Sequence, residues 1–148
     1  MSLDLSYLAG FFDGEGSINI LTRKRKNWNT EYQLTVAIGQ KDGATLDWLK
    51  ENYGGNVYLV KRDGSFYWAC SNRAAQNFLQ QLLPYLKYKK PQAELALTYF
   101  NYVRTIPISK RELERRESIR LGLIELKKSI IPSKFAATTT KRTDPKGM

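Results

Sequence analysis

Residues 8–17 read Leu-Ala-Gly-Phe-Phe-Asp-Gly-Glu-Gly-Ser, and this stretch constrains the chain more than any other. With Asp4 as N-cap, it predicts a helix that runs to a break at Gly14-Glu15-Gly16. Gly10 and Gly14 lie one turn apart on that helix, on a face where a missing side chain lets another backbone come unusually close. Glu15 falls where the helix ends. A carboxylate there meets the negative end of the helix dipole, which is unfavourable unless a cation or a function compensates it. The unit therefore has the parts to pack two helices together and to hold a metal ion.

Strand-like alternation follows at once. Ser17, Asn19, Leu21, Arg23 and Arg25 share one face, with Ile18, Ile20 and Thr22 on the other. A polar turn at residues 27–30 leads to a second strand, in which Glu31, Gln33, Thr35 and Ala37 alternate with Tyr32, Leu34, Val36 and Ile38. Asp42 can cap a short helix with Leu46, Leu49 and Tyr53 at helical spacing, ended by Gly54-Gly55. Asp63-Gly64 signals a two-residue hairpin turn between 56–62 and 65–71. That register pairs Tyr58 with Ala69, Val60 with Tyr67 and Arg62 with Ser65, leaving Val57, Leu59, Trp68 and Cys70 for the core.

Asn72 starts a helix with Phe78, Leu79, Leu82 and Leu83 inward, broken at Pro84, and Pro91 opens another that runs to about Val103. Ser109 and Glu112 form a capping box ahead of a charged last helix, with Leu113, Ile119, Leu123, Ile124 and Leu126 as its apolar stripe. The expected fold class is α+β: an α-β-β-α-β-β-α unit with a four-stranded antiparallel sheet, then further helices. One domain over 1–131 and a basic, flexible tail over 132–148 account for the 148 residues.

Composition narrows the chemistry. The 24 Lys and Arg against 14 Asp and Glu leave a formal charge of +10, which favours a polyanionic partner such as DNA or RNA. There is no histidine, so histidine general bases and histidine-ligated zinc are excluded, and catalysis falls to carboxylates, lysine and metal-bound water. The single cysteine, Cys70, rules out an internal disulfide and fits a reducing compartment; its apolar surroundings make it a core residue. No apolar run approaches about 18 residues, and Asp4 stands where a signal peptide has basic residues. A soluble intracellular protein without membrane span or targeting signal is expected.

Residues 8–17 closely resemble the signature of the LAGLIDADG homing endonucleases, departing from it at Phe11-Phe12 and, conservatively, at Gly14 and Glu15. The order helix, hairpin, helix, hairpin, helix also matches one family unit through roughly Val103. The resemblance implies that the motif helix packs on a second copy through Leu8, Gly10, Phe11 and Gly14. It further implies that Glu15, with Gly14, binds a catalytic divalent metal, Mg²⁺ being the expected ion, with no small-molecule cofactor. One motif per chain implies a homodimer. Gln40 matches a family glutamine that holds metal-bound water, and Lys89 matches a lysine of the catalytic pocket, with Lys87 and Lys90 as alternatives for it. Relatives carry a basic residue four positions after that glutamine, where this chain has Ala44; either Lys41 supplies the charge or the pocket is weaker.

The resemblance thus implies an intron-encoded, metal-dependent endonuclease cutting double-stranded DNA at a long pseudo-palindromic site. The alternative is a cleavage-inactive relative acting as an intron maturase or DNA-binding regulator, against which the retained Glu15, Gln40 and Lys89 argue. A twisted β-ribbon fits the major groove, and the outward positions carry side chains suited to base edges. Arg23 and Arg25 suit guanine, Asn19 and Gln33 suit adenine, and Ser17, Leu21, Thr35, Tyr58, Arg62 and Tyr67 extend the surface. Lys24, Lys26, Ser133, Lys134, Lys141 and Arg142 are placed to touch phosphates, which position a protein without specifying sequence.

Overall fold

A computed structural model describes residues 3–24, 26, 29–102 and 105–128. Helix α1 (Leu5–Glu15) starts where the Asp4 carboxylate accepts the Tyr7 N–H at 2.8 Å. It buries Leu8, Ala9 and Phe12, and the chain leaves it through Gly16, whose N–H donates to the Phe12 carbonyl. A Cβ on Gly16 would stand 2.1 Å from the Phe12 ring, so only glycine allows the chain to pass so closely over that core residue.

The chain enters strand β1 (Gly16–Arg23) without a loop and returns as β2 (Glu31–Gln40). Helix α2 (Ala44–Tyr53), β3 (Asn56–Val60), β4 (Ser65–Ser71) and α3 (Asn72–Leu82) complete the second repeat of the pattern. The four strands form one antiparallel sheet in the order β1-β2-β4-β3. Strand alternation puts Ile18, Ile20, Leu34, Val36, Ile38, Trp68 and Cys70 on one face, all buried. Phe78 of α3 joins that face to the helices, with edge-on ring contacts to Phe12 at 5.3 Å, Trp68 at 5.2 Å and Tyr53 at 5.0 Å. Burial pushes the Cys70 thiol up to about 12, leaving it inert.

The second hairpin differs from the expected two-residue turn. Val60 pairs with Ser65, Tyr58 with Tyr67 and Asn56 with Ala69, and Lys61 to Gly64 form the loop. Asp63 sets this register: its carboxylate turns onward to accept from the Ser65 N–H (3.0 Å) and hydroxyl (2.6 Å). The Asp63 and Gly64 N–H groups both donate to the Val60 carbonyl, and Gly64 takes φ +73°. A two-residue slip preserves which face each side chain occupies. Leu59, however, is 56% exposed rather than core, and Arg62 sits in the loop.

The helix expected from Pro91 to Val103 is shorter. α4 (Lys90–Leu97) passes into a 3-10 turn at Thr98–Phe100, and Val103 lies outside the described residues. The Thr98 and Tyr99 carbonyls at this helix end accept from the Arg115 guanidinium at 2.8 Å each, Thr98 also accepting the Asn101 N–H. Helix α5 (Lys110–Lys128) begins with Ser109 accepting the Glu112 N–H, one half of the expected capping box, while the Glu112 carboxylate is taken by Arg115 and Arg116. Its buried stripe is Glu112, Arg116, Ile119 and Leu123, whereas Ile124 is 37% exposed and Leu113 and Leu126 are half-buried. Glu112 joins the stripe because Arg115 and Arg116 neutralise it at 2.8 Å each, and Arg116 lies over Tyr102 and Tyr99. No described helix is long and apolar enough to cross a membrane.

Candidate active site

The end of α1 meets the loop before α4. The Asp13 carboxylate accepts the backbone N–H groups of Lys87 (2.9 Å) and Lys89 (2.8 Å), and the Asp13 carbonyl accepts the Lys89 ammonium at 2.7 Å. That carbonyl belongs to the last turn of α1, so Lys89 supplies the cation that the helix terminus requires. Lys87 and Lys90 are exposed, which singles out Lys89 among the three lysines. Burial lowers the Lys89 pKa, and the carboxylates of Asp13 and Glu15 act in the opposite sense.

Glu15 is exposed and makes no hydrogen bond or ion pair among the described residues. Gly16 pairs with Ile38 across the hairpin, so Gln40, two residues further along β2, reaches the same end of the sheet as Glu15. The Gln40 side-chain oxygen accepts the Lys41 N–H at 3.2 Å, leaving its amide NH₂ free to donate. Ala44 uses its backbone N–H on the Asp42 carboxylate at 3.0 Å, and the charge of Lys41 acts on Asp63, at the second hairpin turn.

The described residues contain no group of three or more His, Cys, Asp or Glu side chains able to hold a metal. One chain offers the free Glu15 carboxylate and the adjacent Gly14 carbonyl, both oxygen donors. This set fits a hard divalent cation such as Mg²⁺, which takes one or two carboxylates and keeps several waters.

The outer face of α1 is open. A Cβ on Gly10 or Gly14 would meet no atom within 4 Å. Tyr7, 53% exposed, stacks on Phe11 with ring centroids 6.2 Å apart and stands on the same face, one turn from Gly10 and Phe11. Leu8 does not belong to this face: it is 1% exposed in the chain's own core, because it lies on the side of α1 that packs on the sheet and α3. Tyr7 was missed because it stands just before the motif, between Ser6 and Leu8, where the sequence gives no sign of its neighbours in space.

On the sheet's outer face the registers align Ser17, Ala37, Ala69 and Asn56 in one row, Asn19, Thr35 and Ser71 in the next, and Leu21 with Gln33 beyond them. Arg23, at the end of β1, faces Glu31. Leu21 is 51% exposed, Tyr58 48% and Tyr67 39%, and the two tyrosines lie 5.4 Å apart. Gln33 and Arg62 are exposed as well. Two expected readers are already engaged. Thr35 is buried, with its hydroxyl on that of Ser71 at 3.1 Å, and Asn19 accepts a hydrogen bond from Lys127 of α5. Asn56, exposed in the Ser17 row, joins the surface instead. Arg25, Ser133, Lys134, Lys141 and Arg142 lie outside the described residues.

The family profile described as LAGLIDADG endonuclease matches residues 8–106, from the motif helix to the loop before α5. The chain belongs to the LAGLIDADG endonuclease family. Among its LAGLIDADG relatives is the DNA endonuclease I-CreI of Chlamydomonas reinhardtii, 32% identical over 115 residues, covering 75% of this chain and 69% of that one. The DNA endonuclease I-CvuI of Chlorella vulgaris is 28% identical over 113 residues, covering 73% and 68%. The LAGLIDADG fold recurs in the crystal structure of I-CvuI with its target in the presence of calcium: TM-score 0.74, 23% identity, 82% of this chain and 80% of that one covered. An archaeal intron-encoded homing endonuclease bound to DNA, I-Vdi141I, has the same fold, with TM-score 0.72, 20% identity and 82% of each chain covered.

Proposed function

We propose that this protein cuts double-stranded DNA at a specific site, as a homodimer, with a divalent metal at Glu15. The reading rests on one observation above all: a carboxylate without partners stands beside a partly buried lysine at the base of a helix whose outer face is open.

In this reading two copies join through Tyr7, Gly10, Phe11 and Gly14, where the missing side chains let the two α1 helices approach closely. The two Glu15 carboxylates brought to the axis repel one another unless a cation stands between them. When bound there, a divalent metal, Mg²⁺ by expectation, supplies Lewis-acid charge and acidifies water for phosphodiester hydrolysis. Lys89 holds positive charge against the phosphoryl oxygens, and Gln40 orients water through its free amide. The sheets read the grooves on either side through Ser17, Leu21, Arg23, Gln33, Asn56, Tyr58 and Tyr67.

The test is incubation of the purified protein with a plasmid library carrying randomised inserts, with Mg²⁺ or with a chelator. Metal-dependent linearisation of a subset whose inserts are pseudo-palindromic is expected. Binding without cutting in either condition would refute the endonuclease reading. The intron-encoded origin has its own check, since the target should then match host sequence rejoined without the intron.

A further inference from the structure

A lysine in the last turn of a helix ordinarily stays in solvent, favoured by the helix dipole. Lys128 behaves that way, with its side chain 70% exposed and 3.7 Å from Glu125. Lys127 does the opposite. Its ammonium turns in beside β1, an edge strand of the sheet, and donates to the side-chain oxygen of Asn19. It makes no ion pair among the described residues. Burial lowers its pKa, and the charge of Lys89 lowers it further.

Asn19 is three residues into β1, on its outer face, and β1 starts directly after Glu15. Two half-buried ammonium groups from different elements, α5 and the loop before α4, therefore converge near the Glu15 end of the sheet. The carboxylates of Asp13, committed to backbone N–H groups, and of Glu15 act on Lys89, and none is among the groups that shift Lys127. Gathering like charges out of water is unfavourable for folding alone, and becomes favourable once an anion is bound between them.

We propose that Lys127 binds a DNA phosphate beside the one faced by Lys89, with Asn19 as the positioning residue that aims its ammonium. The inference rests on the endonuclease reading above and adds to it a phosphate-binding group from the last turn of α5. The bond from Lys127 also takes one lone pair of the Asn19 oxygen and so fixes the side chain's orientation, leaving its NH₂ free to donate.

The test is a cycle between protein and DNA. The substrate is a duplex selected from a randomised library by the wild-type protein and then made with single neutral methylphosphonates at each central phosphate. Lys127→Met should slow single-turnover cutting in Mg²⁺ roughly tenfold or more, as the loss of one charge-assisted hydrogen bond does. Thermal melting should not fall, and Lys127→Arg should keep most of the rate. One methylphosphonate should slow the wild type and leave Lys127→Met no slower than on unmodified DNA, because the contact is already absent. Asn19→Ala should give a smaller loss at the same phosphate.

Wild-type cutting by Lys127→Met, or losses that simply add at every phosphate, would overturn the proposal. A wild-type protein that binds the duplex without cutting would overturn the endonuclease reading instead. The same cycle, scored by affinity in Ca²⁺, then judges Lys127 alone. A wild-type protein that binds no duplex overturns both.

Discussion

Asp13 holds Lys89 at both ends: its carboxylate accepts the Lys89 backbone N–H at 2.8 Å and its carbonyl accepts the Lys89 ammonium at 2.7 Å. One residue of the motif helix thus fixes both the loop that carries the lysine and the direction in which the lysine points. Asp13→Ala removes the acceptor of two backbone N–H groups, costing roughly 1–3 kcal/mol for each that finds no new partner. It should lower the melting temperature and reduce cutting together. Lys89→Met should abolish most cutting with little effect on melting, since it removes a partly buried charge. Equal melting losses for both variants would show that the lysine, not the loop, carries the stability.

The depressed Lys89 pKa also has a consequence for stability. The folded state holds that proton less tightly than the unfolded chain. Between the depressed value and the ordinary lysine value, the unfolded state binds more protons, so stability should rise with pH across that window. Chemical denaturation of the wild type and Lys89→Met at stepped alkaline pH reads this directly. The variant should lack part of the rise, and identical slopes would count against a depressed pKa.

Glycines that look alike in the motif should fail differently. Gly10→Leu adds bulk to the open face of α1 and should break the proposed dimer while leaving each protomer folded, as sedimentation velocity and circular dichroism would report. Gly16→Ala drives a methyl group into the Phe12 ring and should destabilise the protomer itself, by about 1–3 kcal/mol as overpacking does. A Gly10→Leu protein that stays dimeric would move the interface elsewhere on the chain.

The buried pair Glu112–Arg116 predicts an acid-sensitive C-terminal helix. Its two guanidinium partners hold the Glu112 carboxyl below the usual carboxylate range, against a smaller opposing effect of burial. Its stabilisation is therefore complete above that usual range and disappears as pH falls through the depressed folded value. Glu112→Ala, which leaves Arg116 buried and unpaired, should cost about 3–5 kcal/mol at neutral pH. Urea unfolding at pH 7 and at acid pH would show the difference between variant and wild type shrinking as the acid limit is approached.

The parts legible from sequence were those governed by local spacing. Gly10 and Gly14, one turn apart, marked the face of α1 that the fold leaves open, and the alternation from Ile18 to Ile38 gave the inward face of the first hairpin. What escaped depended on partners far along the chain. The Asp63 carboxylate chose Ser65 over a tight two-residue turn, and both registers satisfied the same hydrophobic parity. Glu112 and Arg116 interrupt an apolar stripe and are admitted to the core by each other, by Arg115 and by Tyr99 and Tyr102. Nothing local to Lys127 points to a partner, because only the packing of α5 beside β1 brings it to Asn19, 108 residues away.

Recognition should mirror the two-fold symmetry of the proposed dimer. Arg23→Ala should cost roughly 1–3 kcal/mol of binding and relax preference at matched positions in both half-sites, as loss of a bidentate base contact does. Selection from randomised DNA with wild type and variant reads this, and a consensus that changes in one half-site alone would exclude a symmetric dimer. By contrast, Lys134→Ala or Lys141→Ala should weaken binding to all sequences and flatten its salt dependence.

The central claim is that Glu15, unpaired at the end of α1, is the metal-binding acid. Glu15→Gln keeps the size and the helix but removes the charge, so affinity for the selected duplex in Ca²⁺ should stay near that of the wild type while cutting in Mg²⁺ disappears. The measurement is single-turnover cleavage and Ca²⁺-supported binding on one protein preparation. Cutting near the wild-type rate by Glu15→Gln would contradict the account.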